Sequence, residues 1–146
     1  MLVTSWRDNA TLEVQNDLDG LVNASLPFAT RMLEEHGEFF PYAIALDDSG
    51  ERRMVASDPG KGDRPASTDV LSMLVVGLRG ERDALRAVAL VSDVRLAESD
   101  AVRVELEHRD GHAIAVFLPY TQKRLRRGIA FGDLTAGPGS VQVWSA

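Results

Sequence analysis

"VRVELEHRDGHAIAVFLPY" (residues 102–120) consists of two apolar-rich runs around the turn Arg109-Asp110-Gly111. In the first run Val102, Val104 and Leu106 alternate with Arg103, Glu105 and Glu107, the period of a strand buried on one face. The second run, "HAIAVFLPY", is apolar at nearly every position, as expected of a central strand covered on both faces. A three-residue loop with Gly111 in the left-handed position pairs His108 with His112, Leu106 with Ile114, Val104 with Val116 and Val102 with Leu118. That register gives one unbroken apolar face, whereas a two-residue Asp-Gly turn would set the glutamates against apolar partners. The hairpin commits this part of the chain to an antiparallel sheet. It also sets two imidazoles opposite each other, with Cβ atoms roughly 5 Å apart.

Upstream, "RAVALVSDVRL" (86–96) reads as a further strand, with "ESDA" (98–101) as the turn. "GIAFGDL" and "VQVWS" downstream are weaker strand candidates around "TAGPGS". Nearer the N-terminus, Leu18, Leu21, Val22, Ser25, Leu26, Ala29, Met32 and Leu33 form one helical stripe. Pro27 lies within it and either kinks one long helix or sits in the first turn of a second helix capped by Ser25; the stripe continues through it, so two helical pieces at a shallow bend are expected, with Gly37 just past the end. In "RMLEEHGEFFPYAIALDDSG" (31–50) the helix ends and a strand begins. Phe39 and Phe40 are expected to plug that corner, and "YAIAL", "DDSG" and "ERRMVAS" to make a hairpin. "DPGKGDRP" (58–65) is a loop; its Lys61 is followed by Gly62-Asp63, so the phosphate-loop pattern is absent. Pro65 suits the first turn of a second helix, with Val70, Leu71, Leu74, Val75 and Leu78 as its stripe, Gly77 serving close packing and Gly80 as its stop. The expected fold is α+β, in one domain over 1–146: helix, hairpin, helix, then three or more strands. Its antiparallel sheet has five to six strands, with the two main helices packed on one face.

The totals bound the function. With 146 residues, 45% hydrophobic and 26% charged, the chain suits a globular domain able to bury a core. It has no cysteine, which excludes disulfides, thiolate metal sites and a cysteine nucleophile and fits a reducing compartment. No signal peptide or membrane span is evident, so a cytoplasmic location and no membrane partner are expected. The net charge of −6 disfavours nucleic-acid binding. Charge is uneven, however: from Thr121 onward there are four basic residues (Lys123, Arg124, Arg126, Arg127) and one acid, against 12 basic and 21 acidic residues before it. That cluster is a candidate contact for an acidic protein partner, or else a solvated connection.

"LPFATRMLEEHGEFFPYAIALDDSGE", with "VELEHRDGHAIAVFLPY" downstream, resembles a family of small bacterial proteins of unassigned function, over most of the chain. The resemblance implies no activity. In element order alone the chain is similar to roadblock and profilin-like modules, which would imply a dimerising adaptor. It is also similar to nuclear-transport-factor-2-like domains, which would imply a ligand pocket or a small enzyme.

All three histidines sit near glutamates, making Glu35, His36, Glu38, His108 and His112 a candidate polar cluster. Two imidazoles need a third ligand, such as His36 or Glu38, to hold a divalent metal; a metal-free histidine pair at the sheet rim is expected instead. No Gly-x-Ser-x-Gly elbow or oxyanion site accompanies them, so no catalytic, cofactor-binding or metal residue and no cofactor is assigned. Ile114, Val116 and Leu118 lie on one side of their strand, and Ala113, Ala115 and Phe117 on the other, more apolar surface than helices on one face would cover. The expectation is therefore a non-catalytic interaction module that pairs with a second copy as a homodimer. The alternative is a small-ligand-binding domain or small enzyme with a pocket between sheet and helices.

Overall fold

The computed structural model describes residues 6–57, 66–122 and 128–146. A 3-10 turn (Trp6–Asn9) precedes helix α1 (Leu12–His36). Then come β1 (Tyr42–Asp47), β2 (Arg52–Val55), α2 (Ser67–Glu81), a 3-10 turn (Arg82–Ala84) and β3 (Leu85–Arg95). Strands β4 (Asp100–His108), β5 (Ala113–Gln122), β6 (Ile129–Phe131) and β7 (Thr135–Pro138) complete one sheet. Its order is β2-β1-β3-β4-β5-β6, with β7 also on β5 and every pairing antiparallel. This is the α+β class and element order expected, with seven strands among the described residues against the five to six expected. No helix among the described residues is long and apolar enough to cross a membrane.

The β4–β5 hairpin adopts the expected register, with Leu106 opposite Ile114, Val104 opposite Val116 and Val102 opposite Leu118. Its turn closes through the Gly111 N–H to His108 O at 3.0 Å, with Gly111 at φ 107°. Alternation then sorts the core into two layers. Tyr42, Ile44, Leu46, Ala87, Ala89, Val91, Val102, Val104, Leu106 and Ile114 pack with Leu18, Leu21 and Leu33 of α1. Ala43, Ala45, Val88 and Leu90 pack with Val70, Leu74 and Leu78 of α2, and with Val143.

The two helices therefore lie on opposite faces, not on one. The cause is topological. Both β2 and β3 run antiparallel to β1, so β2–α2–β3 joins two parallel strands across β1. A crossover helix must lie on a sheet face, and β1 and β3 offer α2 the apolar layer that α1 does not use. Ala113, Ala115 and Phe117 of β5, the surface that suggested a second copy, are not part of the layer that packs on α2, whose floor is β1 and β3.

Helix α1 begins at Thr11, whose hydroxyl accepts the Val14 N–H at 3.2 Å. It ends as expected at Gly37, with φ 75° and its N–H donated to Leu33 O. Pro27 does not divide it. The buried Tyr42 hydroxyl donates to Ser25 O at 2.5 Å and lies against the Ala29 N–H, bridging the helical ladder around the proline. Burial pushes the Tyr42 hydroxyl above its ordinary pKa, against the opposing effect of the Ala29 N–H, so it stays a donor. The Ser25 hydroxyl donates back to Leu21 O at 2.6 Å instead of capping a second helix. Gly77 is not required by packing, because a Cβ there would meet open space. Helix α2 also runs past Gly80 to Glu81, and Pro65 lies outside the described residues.

The helix-to-sheet corner splits the phenylalanine pair. Phe39 is 9% exposed and packs edge-on against Tyr42 with ring centroids 5.9 Å apart, while Phe40 is 49% exposed. In extended chain leading into Pro41, consecutive side chains point opposite ways, so only one ring can enter the core. Phe39→Ala is accordingly expected to cost about 3–5 kcal/mol in urea unfolding. Phe40→Ala is expected to stay within about 0.5 kcal/mol of wild type. Equal costs would contradict this packing.

Candidate functional site

His108 and His112 face each other across the hairpin, as the register requires: the His108 N–H donates to His112 O at 2.8 Å. Their rings part company. His108 is buried, and its Nδ1 accepts the Asp110 N–H at 3.2 Å. Its Nε2 lies on the other side, 2.9 Å from Asp17 Oδ2. Asp17, on the inner face of α1, also accepts from Arg86 Nε and Nη2, both at 3.0 Å. Arg86 is the extra residue of a bulge in β3: Leu46 pairs with Ala87, but Asp47 pairs with Leu85. The bulge turns Arg86 toward α1, so α1, β3 and β4 meet on one buried carboxylate. His112 is half-buried, with Nδ1 2.8 Å from Asp110 Oδ2. Partial burial works against ionising Asp110. The His112 N–H and ring, with the charge of His108, outweigh it and hold the carboxyl below its ordinary pKa.

The other three members of the expected cluster are elsewhere. His36 and Glu35 are exposed at the far end of α1, 3.9 Å apart, about 28 Å along the helix from Asp17 at 1.5 Å per residue. Glu38 follows the helix end and acts electrostatically on Asp93. Burial, then Asp100 and Glu38, push the Asp93 carboxyl up, despite a 2.5 Å hydrogen bond from the Tyr120 hydroxyl. The five residues do not converge. Lys123, Arg124, Arg126 and Arg127 lie outside the described residues.

The structure brings together a different set. A cleft of about 380 Å³ opens between the first half of α1 and strands β4, β5 and β7. Leu18 and Val22 of α1 face Leu106, Ile114 and Val116 across it; Trp6 forms one wall and Leu134 to Ala136 the opposite rim. Three consecutive residues of α1 explain the arrangement. Asp17 and Leu18 point into the core, while Asp19 points to the cleft mouth and binds Arg7 through both oxygens at 2.7 and 2.8 Å. The Arg7 guanidinium also lies 4.6 Å from the Trp6 ring, fixing the 3-10 turn as a wall. The hydrogen bonds to Asp19 hold the Arg7 guanidinium above its ordinary pKa; burial opposes them, and the Asp19 charge adds a smaller upward effect. Asn23 and Thr135 complete the polar part of the lining.

Asp17 carries a signal that sequence reasoning passes over. An acid four residues before Leu21 and eight before Ser25 on a buried stripe needs cationic partners inside the fold. Trp6 and Arg7 carry none, because a four-residue 3-10 turn has no periodicity to read.

Asp17→Ala is expected to cost about 3–5 kcal/mol in urea unfolding, since it leaves Arg86 and His108 without their acceptor. Arg7→Ala, which opens an exposed pair, is expected to cost at most about 1 kcal/mol. At the other end of α1, Asp93→Asn keeps an oxygen acceptor for Tyr120 and removes a charge that the fold disfavours. Its thermal midpoint should exceed that of wild type at pH 7, and the gap should close as pH falls below the ordinary carboxyl range, where Asp93 is protonated in both states. A gap that widens toward acid pH would contradict the direction given for Asp93.

No family model, curated protein or solved structure matches this chain, so the cleft's chemistry is read from its own residues.

Proposed function

We propose that this chain binds a small, predominantly apolar molecule in the cleft between α1 and the β4–β5–β7 end of the sheet. The observation that carries the proposal is the cleft itself: about 380 Å³, floored by Leu18, Val22, Leu106, Ile114 and Val116 and edged by a few polar groups. That volume lies within the range of small-molecule sites, and the lining pairs an apolar floor with a few polar groups. The role proposed is binding rather than catalysis. The two charged groups at the mouth, Arg7 and Asp19, are engaged with each other, so neither stands ready to move a proton. The absence of cysteine supports a reducing, cytoplasmic setting for it.

Homodimerisation is a second proposal, favoured by one feature of α2. Met73 and Val76 are 46% and 63% exposed, and with Gly77 and Gly80 they form an outward stripe at helical spacing. A second copy laid along that stripe would cover it.

Trp6 makes the first proposal measurable. The chain has two tryptophans, and Trp144→Phe leaves Trp6 as the single reporter, on the cleft wall. Screening that variant against uncharged aromatic and aliphatic fragments is expected to give saturable changes in Trp6 fluorescence. Val22→Trp, which fills the cleft, should weaken them at least tenfold while the protein stays folded. No response from any fragment, or binding indifferent to Val22→Trp, would remove the ligand-binding proposal. Sedimentation at low micromolar concentration addresses the second: a dimer that Met73→Glu dissociates is expected, and a monomer near the chain mass of 15.9 kDa would refute it.

A further inference from the structure

Residues 140–146 lie on the α2 side of the sheet without joining it as a strand. Gly139 marks where the chain leaves β5. Its N–H donates to Ala113 O at 3.1 Å, and a Cβ there would fall 2.6–2.8 Å from the backbone of Ala113 and Ile114, so only glycine fits. Beyond that point, three charged side chains grip main-chain atoms. Glu107, 3% exposed, accepts the N–H groups of Gln142 at 2.8 Å, Val143 at 2.9 and 3.0 Å, and Trp144 at 2.7 Å. Arg79 Nη1 donates to Gln142 O at 2.9 Å and to the Ser145 hydroxyl at 2.7 Å. Arg82 Nη1 donates to Val143 O at 2.9 Å and to Ser145 O at 3.0 Å. Between these grips the Val143 side chain is fully buried, in the cluster that holds Leu78, Leu85 and Val88.

We propose that this groove, formed by α2, the following 3-10 turn and β4, is a peptide-binding site. It reads main chain through Glu107, Arg79 and Arg82, and a small branched side chain through the Val143 pocket. Residues 140–146 of the same chain fill it, and the occupant it takes in trans is the same segment of a second copy. Two physical points support this. The polar grips, apart from the Ser145 hydroxyl, fall on N–H and C=O groups, which any second copy presents with the same Val143 and Trp144. A buried carboxylate stripped of all three N–H donors would be strongly disfavoured, so the site is stable only when some peptide occupies it. The segment of the same chain is tethered at Gly139 and has the advantage of a high effective concentration; exchange between copies replaces like with like. The groove is on the opposite sheet face from the cleft, and it stands or falls independently of ligand binding there.

The experiment uses the full chain carrying Val143→Asp, which expels its own segment, and a fluorescein-labelled peptide of residues 140–146 followed by anisotropy. Saturable binding, at least tenfold tighter than to wild-type protein whose groove is already filled, is expected. Adding Glu107→Gln should weaken it at least tenfold. A folded Val143→Asp protein that does not bind the peptide, or binding unchanged by Glu107→Gln, would overturn the proposal. Should Val143→Asp fail to fold, the cysteine-free wild-type background supplies the decision. Copies labelled at Ala146→Cys are mixed with copies labelled at Gly137→Cys, a position outside the α2 stripe where a side chain meets open space, and both carry Met73→Glu so that pairing through that stripe does not contribute. Energy transfer that grows with time on mixing supports exchange of the segment between copies, and its absence overturns it.

Discussion

The buried carboxylate of Asp17 sets where α1 sits. A charge withdrawn from water is tolerated only when its hydrogen-bonding capacity is met, and here the donors are Arg86 from β3 and His108 from β4. Satisfying both leaves α1 little freedom to slide or roll. With that angle set, Leu18 and Leu21 turn to the core and Asp19 turns outward to Arg7. The width of the cleft is thus a consequence of one ion-pair network. A helix held only by apolar contacts would be free to settle closer to the sheet and close the space.

Strand β4 supplies both faces of the molecule. Successive residues of a strand point to opposite sides, and its last two residues are Glu107 and His108. His108 secures α1 on one side; Glu107 secures the segment around Val143 on the other. Farther along the same strand, Arg103 and Glu105 occupy the Glu107 face, 3.6 Å apart, so that α2 finds its apolar floor on β1 and β3 instead. The alternation of "VRVELEH" marks an apolar face and a charged face, and at Glu107 the charged face is occupied by the segment around Val143 rather than solvated.

How much of this was legible in the residues can be judged element by element. The β4–β5 register followed from the turn, because only a three-residue loop keeps Leu106, Val104 and Val102 opposite apolar partners. Gly37 followed from helix-ending chemistry. The placement of α2 did not follow, because apolar periodicity says that a face is buried without saying against which side of a sheet. Pro27 misled for a related reason: its cost to the helix is offset by Tyr42, which arrives from another element. Spacing along the chain put His36 beside its glutamates and suggested that they act with His108. A helix of 25 residues keeps the two ends apart, and nothing local to either end reveals that. Glu107 was equally opaque, since its partners are backbone N–H groups that carry no sequence identity.

The Asp17 network also bears on the order of events in folding. The ion pair to Arg86 spans 69 residues of chain and the hydrogen bond to His108 spans 91. Helical turns of α1 form on a submicrosecond scale, whereas the strands that receive it must first find one another through contacts distant in the chain. The apolar stripe of α1 therefore waits, solvated or in non-native contact, until β3 and β4 have paired. Interactions at Asp17 are therefore expected on the late side of the folding barrier, acting chiefly on how fast the native protein opens and little on how fast it forms.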